Sequence, residues 1–159
     1  MLKKFLTITI VISSFILFIF LQNYPAKNRQ LVAVAIVEKN GKILIAQRTK
    51  KDAFENRWAF LGGKVEGNEN IHDCLKRELK EEIGINAEIG EYFGTNSFYV
   101  NQTKFELHTF KVTQFTGEIT LNHEHRAFAW VTPSELCNYD IIEPNLPFVR
   151  RIQCNCMVN

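Results

Sequence analysis

Three glutamates near the middle of the 159-residue chain have the type and spacing of a binding site for a hard divalent cation. Glu78 and Glu82 are four residues apart and Glu81 is three from Glu78, so on a helix their carboxylates project from one side. Like charges so placed destabilise an isolated helix by roughly 0.2–0.5 kcal/mol per pair, so a positive group is expected beside them. Mg²⁺ takes oxygen ligands and is held by a few carboxylates together with substrate phosphates. The alternative is a solvated face whose charges pair with neighbouring lysine and arginine residues.

The segment that positions these carboxylates, residues 62–85, is predicted to form a glycine loop, a helix and a helix stop. Asn70 is a favoured N-cap with Asp73 as its capping-box partner, and Gly84 is a natural left-handed terminator. Apolar residues recur every four positions, which predicts one face packed on a core. These residues are Ile71, Leu75, Leu79 and Ile83.

The same segment resembles the signature of the Nudix hydrolases. In that pattern a glycine is followed after five residues by glutamate, and after seven more by Arg-Glu-apolar-x-Glu-Glu-x-Gly-apolar. Here Gly63, Glu69 and residues 77–85 fill every fixed position, so the chain is identified as a member of the family. The resemblance implies an α/β fold, with an α/β/α sandwich around a mixed β-sheet. It also implies a nucleotide hydrolase that depends on Mg²⁺ or Mn²⁺.

The resemblance implies roles for individual residues as well. Glu78, Glu81 and Glu82 are expected to be catalytic and, with the Gly62 carbonyl and Glu124, to hold the metal ions. Four further positions of the signature are expected to shape and orient this cluster: Gly63, Glu69, Arg77 and Gly84. Which glutamate accepts the proton of the attacking water is left open.

Two features outside the signature resemble the MutT-type branch, whose members remove oxidised guanine nucleotides from the pool. Glu124 stands six residues before Trp130, as a metal-binding glutamate of that branch does. Asn145 stands two residues before Pro147, as the base-reading asparagine of the branch does, and it is equally suited to N-cap the last helix. The branch has an arginine near the turn between two long strands, where this chain has Thr103.

Arg48 ends a predicted strand and is expected to bind substrate. An arginine at a strand end is usually solvated, but the family has a basic residue here that contacts phosphate, which a guanidinium fork fits well. The nearby triplet His123, Glu124 and His125 only weakly indicates zinc, because no further ligand accompanies it. The four cysteines form no recognisable metal framework.

Five strands and two further helices are predicted around the signature. The strands are residues 31–37, 42–48, 87–100, 104–115 and 127–131. A turn at Asn40-Gly41 joins the first two strands. One helix is predicted to begin at the capping box of residues 132–135, and the last to run over residues 145–152.

An apolar run of 17 residues, positions 5–21, lies near the start of the chain. As a helix it reaches roughly 25 Å, close to the ~30 Å hydrocarbon core of a bilayer. We expect residues 1–22 to form an uncleaved N-terminal transmembrane helix, with a cleaved signal peptide as the alternative. Residues 23–30 are then a linker and residues 31–155 the Nudix domain. The predicted location is single-pass membrane-anchored with the catalytic domain in the cytoplasm, although flanking positive charges leave the orientation open.

The distribution of charge argues against a nucleic-acid polymer as partner. The formal charge is +2, but residues 1–29 hold four basic residues and no acidic one, so the remainder has 15 basic against 17 acidic residues. A surface that binds such a polymer needs a basic stripe. The expected partner is a small nucleotide, and no protein partner is predicted.

The predicted function is hydrolysis of a nucleoside triphosphate, oxidised or unmodified, to the monophosphate and pyrophosphate, in MutT-like sanitation of the nucleotide pool. The alternatives within the family are CTP, or a nucleoside diphosphate derivative such as ADP-ribose, as the substrate. An alternative of another class is a catalytically silent nucleotide-binding module tethered to the membrane. Release of pyrophosphate distinguishes the enzyme from the module.

Overall fold

The computed structural model describes residues 28–49 and 51–156, which form a seven-stranded mixed sheet, a two-stranded sheet and helices on both faces of the larger sheet. The strands are β1 (Asn28–Lys39), β2 (Lys42–Arg48), β3 (Trp58–Ala59), β4 (Leu61–Lys64), β5 (Asn86–Glu88), β6 (Tyr92–Val100), β7 (Thr103–Val112), β8 (Gln114–Thr116) and β9 (His125–Val131). The α-helices are α1 (Ile71–Ile83) and α2 (Leu146–Cys156), and the 3-10 helices are Pro133–Asn138 and Glu143–Asn145.

Strand β1 is the centre of the large sheet. It pairs in parallel with β7 and antiparallel with both β2 and β4. The predicted turn between β1 and β2 is present, with φ of 52° at Asn40 and 72° at Gly41, the left-handed values of a tight hairpin turn. Gly62 and Gly63, expected in a loop, belong instead to β4 and lie opposite Val34 and Ala33 of β1.

The alternation of side chains along β1 separates two hydrophobic cores. Ala33, Ala35 and Val37 face the core that α1 covers with Leu75 and Leu79. The opposite face of β1 meets the core covered by α2, where the buried residues include Val34, Ile36, Phe148 and Ile152. The predicted arrangement of helices on both sides of a mixed sheet is therefore observed.

Two predicted strands are each divided in the structure. Residues 87–100 contribute β5 and β6, and residues 104–115 contribute β7 and β8, because β5 and β8 pair with each other as a separate ribbon. The first break lies at Gly90, where an added Cβ would lie 2.8 Å from the Lys111 carbonyl oxygen. The last helix begins one residue later than predicted, since Asn145 ends the preceding 3-10 helix.

The expectation of a transmembrane helix requires correction. Within residues 28–49 and 51–156, no helix is long and apolar enough to cross a membrane. The 13 residues of α1, for example, span only about 20 Å. On this finding the transmembrane helix is wrong as part of the predicted fold, and so is the single-pass membrane location. The apolar run at positions 5–21 lies outside the described residues.

Candidate active site

Helix α1 begins and ends as its sequence predicts, and this fixes where its carboxylates lie. The Asn70 side-chain oxygen accepts hydrogen bonds from the backbone N–H groups of His72 and Asp73, both at 3.0 Å. At the other end Gly84 has φ of 77° and donates its N–H to the Lys80 carbonyl at 3.1 Å. Glu78, Glu81 and Glu82 therefore occupy the last two turns, beside β4.

Glu82 is the most deeply buried of the three carboxylates, with 5% of the residue exposed. Its Oε2 accepts a hydrogen bond from the Gly62 N–H at 3.0 Å, which joins the helix to β4. Burial raises the pKa of Glu82 to about 8, and the negative charges of Glu78 and Glu124 act in the same direction, while the Gly62 N–H opposes them. The surroundings of Glu82 therefore disfavour its negative charge.

The carboxylate of Glu78 occupies space beside Gly63 that a residue with a side chain would fill. A Cβ added to Gly63 would lie 2.2 Å from the carboxylate carbon of Glu78. At Gly62 the constraint comes from the backbone, because φ is 136° and an added Cβ would lie 2.1 Å from the Ala33 carbonyl oxygen. Burial is also the main reason that the pKa of Glu78 is raised, against the opposing effect of Arg77.

Arg77 binds three carboxylates at once. Its guanidinium makes a bidentate contact with Glu69, at 3.1 Å from Nε and 2.7 Å from Nη2. Its Nη1 donates to Glu78 at 2.9 Å and to Glu81 at 3.2 Å. The hydrogen bonds from Arg77 are the main cause that lowers the pKa of Glu69 to about 2. Arg77 therefore ties the segment before the helix to the carboxylates on it.

The oxygen donors at this site fit a hard divalent cation. Among the described residues, no lysine or arginine forms a salt bridge with Glu82 or Glu124. A divalent ion beside them would offset the charge of Glu82, which burial and the repulsion of Glu78 and Glu124 disfavour. As the side chains stand, no three His, Cys, Asp or Glu residues of the described segments are grouped closely enough to hold a metal. Arg77, which binds Glu78 and Glu81, would have to share them with the ion.

Strands β2 and β9 bring Arg48 and Glu124 to the same site. The ladder between them shifts register at Arg48, and the Thr49 N–H donates to the Glu124 carbonyl at 2.8 Å. The Glu124 side chain is exposed, yet its charge helps to raise the pKa of both Glu78 and Glu82. The Arg48 guanidinium, which is partly exposed, donates from Nη2 to Asp52 at 2.9 Å.

Asn145 does not cap helix α2 with its side chain. The residue is 2% exposed, and its Oδ1 accepts a hydrogen bond from the Phe60 N–H at 2.9 Å. Because a backbone N–H must meet an oxygen, this contact fixes which way the amide group points. Within the described part of the chain, the only side-chain hydrogen bond of Asn145 is this one, and it leaves the Nδ2 donor free.

His125 lies beside the cluster, although its sequence indicated only a weak zinc triplet and no contact with Glu82. The His125 side chain is 4% exposed, and its Nε2 lies 4.0 Å from Glu82 Oε1. Burial lowers the pKa of His125 to about 4. The two histidines of the triplet do not form one set of ligands, since His123 is exposed in a loop and His125 is buried in β9. The signal that could have found His125 is its position next to Glu124.

Residues 27–152 match the family model of the NUDIX domain. The chain belongs to the Nudix family. Glu78, Glu81 and Glu82 therefore lie in the family's signature helix, packed against the two glycines of β4. The prediction of a Nudix hydrolase is confirmed, whereas the roles assigned to its individual residues remain predictions.

Named relatives of this Nudix hydrolase act on nucleoside triphosphates. The chain is 39% identical over 118 residues to the CTP pyrophosphohydrolase of Escherichia coli (strain K12), covering 74% of this chain and 87% of the relative. It is 30% identical over 122 residues to the 8-oxo-dGTP diphosphatase of Buchnera aphidicola, covering 77% and 92%. The solution structure of the E. coli ORF135 protein matches with a TM-score of 0.71 and 37% identity, covering 77% of this chain and 87% of that one.

Proposed function

We propose that this Nudix hydrolase cleaves a nucleoside triphosphate to the monophosphate and pyrophosphate, with Mg²⁺ or Mn²⁺ as its metal ion. The observation that carries the proposal is the pair Glu78, which is half-buried, and Glu82, which is buried; both carboxylates lie beside β4, and burial raises the pKa of each. Glycine at position 63 keeps the space for one of them open. Both named relatives act on substrates of this class.

Glu78, Glu81, Glu82, Glu124 and the Gly62 carbonyl would hold the metal. When bound, Mg²⁺ would offset the charge of the phosphates and make the attacking water more acidic. Other residues of the site would orient the metal ligands or the substrate. Arg77 and Glu69 keep the carboxylates of α1 in place beside the β4 segment, and the exposed part of the Arg48 guanidinium would take a phosphate oxygen. To bind a phosphate, Arg48 would either keep its hydrogen bond to Asp52 and use another N–H group, or break that bond.

The orientation of Asn145 supports a preference among bases. Its Oδ1 is already engaged by the Phe60 N–H, so the group left for a substrate is the Nδ2 donor. That donor suits a base with a carbonyl oxygen on its edge. Guanine, 8-oxoguanine and cytosine have such an oxygen and adenine does not, so ATP and ADP-ribose are disfavoured.

Sanitation of oxidised guanine nucleotides is our first proposal for the role of the enzyme. CTP is the second candidate, and two observations favour it: the 39% identity to a CTP pyrophosphohydrolase, and Thr103 in place of the arginine expected in the MutT-type branch. A silent binding module is disfavoured, because every signature position is filled.

The test is hydrolysis by the full-length chain with Mg²⁺ and a panel of 8-oxo-dGTP, dGTP, CTP, ATP and ADP-ribose. We expect Mg²⁺-dependent release of pyrophosphate, and the highest kcat/KM identifies the substrate. A preference for 8-oxo-dGTP over dGTP supports sanitation, and a preference for CTP supports the second candidate. Absence of pyrophosphate release from every triphosphate would overturn the proposal. Glu82→Gln serves as the inactive variant, and Glu88→Gln, on the exposed face of β5, serves as its matched control.

A further inference from the structure

His125 places an imidazole against the carboxylate of Glu82. Its Nε2 lies 4.0 Å from Glu82 Oε1, about 1 Å beyond hydrogen-bond distance. The other oxygen of Glu82, Oε2, already accepts from the Gly62 N–H at 3.0 Å. The two oxygens of one buried carboxylate thus have different neighbours, a backbone donor on one side and a ring nitrogen on the other.

Backbone pairing holds His125 in this place, whereas one of its two ring nitrogens is buried without a hydrogen-bond partner in the described part of the chain. The residue pairs with Arg48 across the ladder between β9 and β2, at the point where the register shifts. Its Nδ1 is fully buried and has no hydrogen-bond partner among the described residues. Burying a polar ring without partners is unfavourable, and an apolar side chain of similar size would pack here without that penalty. The imidazole is therefore poorly explained by packing alone.

We propose that His125 is a positioning residue whose Nε2–H donates to Glu82 Oε1 when a divalent cation occupies the site. This hydrogen bond requires Nε2 and Oε1 to approach each other by about 1 Å. With Gly62 on one oxygen and His125 on the other, the carboxylate would have one orientation and would keep lone pairs with which to hold the cation. Hydrogen bonds of this kind to metal ligands raise metal affinity. The inference rests on the proposed function for the identity of the metal site.

The chain allows a test that separates the two ring nitrogens. The amide nitrogen of glutamine can reach the position of Nε2, whereas that of asparagine reaches only the position of Nδ1. We therefore compare His125→Gln, His125→Asn and His125→Leu in the full-length chain. His108→Gln is the matched control, because His108 on β7 also has a buried Nε2 without a partner in the described residues, and it neighbours Glu106.

The first measurement is the affinity for Mn²⁺ without nucleotide, followed by electron paramagnetic resonance, and the second is kcat and KM. We expect His125→Asn and His125→Leu to lose about 10–100-fold in Mn²⁺ affinity and in kcat, with a much smaller change in KM for the nucleotide. His125→Gln and His108→Gln should stay within about threefold of the wild type.

Two results would overturn the inference: wild-type affinity in His125→Leu, or equal losses in His125→Gln and His125→Asn. If His125→Leu fails to fold, as judged by its melting transition, the comparison of glutamine with asparagine decides. If the wild type binds Mn²⁺ but hydrolyses no nucleotide, the proposed function fails while the affinities still test His125. If the wild type binds no Mn²⁺, both fail.

Discussion

The backbone of Gly63 and the carboxylate of Glu78 fill adjoining space, so that a Cβ on Gly63 would lie 2.2 Å from the carboxylate carbon. The atom that it would displace is at the far end of a flexible side chain. At the neighbouring Gly62, in contrast, the obstacle is the Ala33 carbonyl oxygen at 2.1 Å. Gly63 therefore leaves room for the Glu78 carboxylate, whereas Gly62 allows β4 to lie close to the backbone of β1.

We predict that Gly63→Ala abolishes most activity and leaves the fold intact. The new methyl group moves Glu78, which costs less than about 1 kcal/mol of unfolding free energy but lowers kcat/KM by about 100-fold or more. Gly62→Ala should instead destabilise the protein by about 3 kcal/mol or more, because its φ of 136° and the Ala33 carbonyl both oppose a side chain. Urea unfolding and steady-state kinetics of both variants check this. Equal loss of stability in the two would contradict it.

The raised pKa of Glu82 predicts an unusual dependence of stability on pH in the metal-free enzyme. Between its unfolded pKa of about 4.5 and its folded pKa of about 8, the native carboxyl keeps a proton that the unfolded chain releases. The contribution of Glu82 to stability is therefore fully present below this window and is lost as pH rises through it, by up to about 5 kcal/mol. Glu82→Gln should remove this contribution, and Mg²⁺ should restore the stability of the wild type at high pH.

Urea unfolding in a chelator between pH 5 and 9 measures this effect. The difference between the wild type and Glu82→Gln isolates the single carboxyl from other titrating groups. The prediction fails if both proteins show the same slope of unfolding free energy with pH.

Arg77→Lys should lower kcat by about 10–100-fold, since lysine cannot reproduce the bidentate contact with Glu69 or reach three carboxylates together. The KM for the nucleotide should change less, because Arg77 acts on the carboxylates. Lys76→Arg, at an exposed position next to it on α1, controls for an Arg-Lys exchange on this helix. Full activity in Arg77→Lys would show that the fork geometry is not needed.

Asn145→Ala should reduce the preference for CTP or 8-oxo-dGTP over ATP by about tenfold or more, because the variant loses the Nδ2 donor. It should also lower the unfolding free energy by about 1–3 kcal/mol, since the Phe60 N–H is left without its acceptor. Asn96→Ala is the control, because Asn96 donates to the Pro144 carbonyl and so supports the same turn without the Asn145 amide. The ratio of kcat/KM values is the measurement, and an unchanged ratio in Asn145→Ala would remove it from base recognition.

Local signals in the sequence predict helix α1 and its caps, because Asn70 and Gly84 act on backbone groups only a few residues away. The contact of Arg77 with Glu69 also follows from the spacing of the signature. What the sequence could not supply depends on pairing between distant strands. His125 meets Glu82 only because β9 lies beside β2, and Asn145 meets Phe60 across 85 positions. The division between β5 and β6 likewise depends on where β8 lies.

The pairing of β1 with β7 and with β4 has a consequence for folding. Strand β1 pairs in parallel with β7, and each pair of facing residues is about 75 positions apart in the chain, as Asn28 and Thr103 are. Such distant contacts form slowly, because the entropy of closing the intervening loop must be overcome first. The Gly62 N–H donates to the buried carboxylate of Glu82, and Gly62 lies in β4, which pairs with β1. Its hydrogen exchange should therefore follow global unfolding, which makes this one amide a reporter of whether the contact between α1 and β4 is formed.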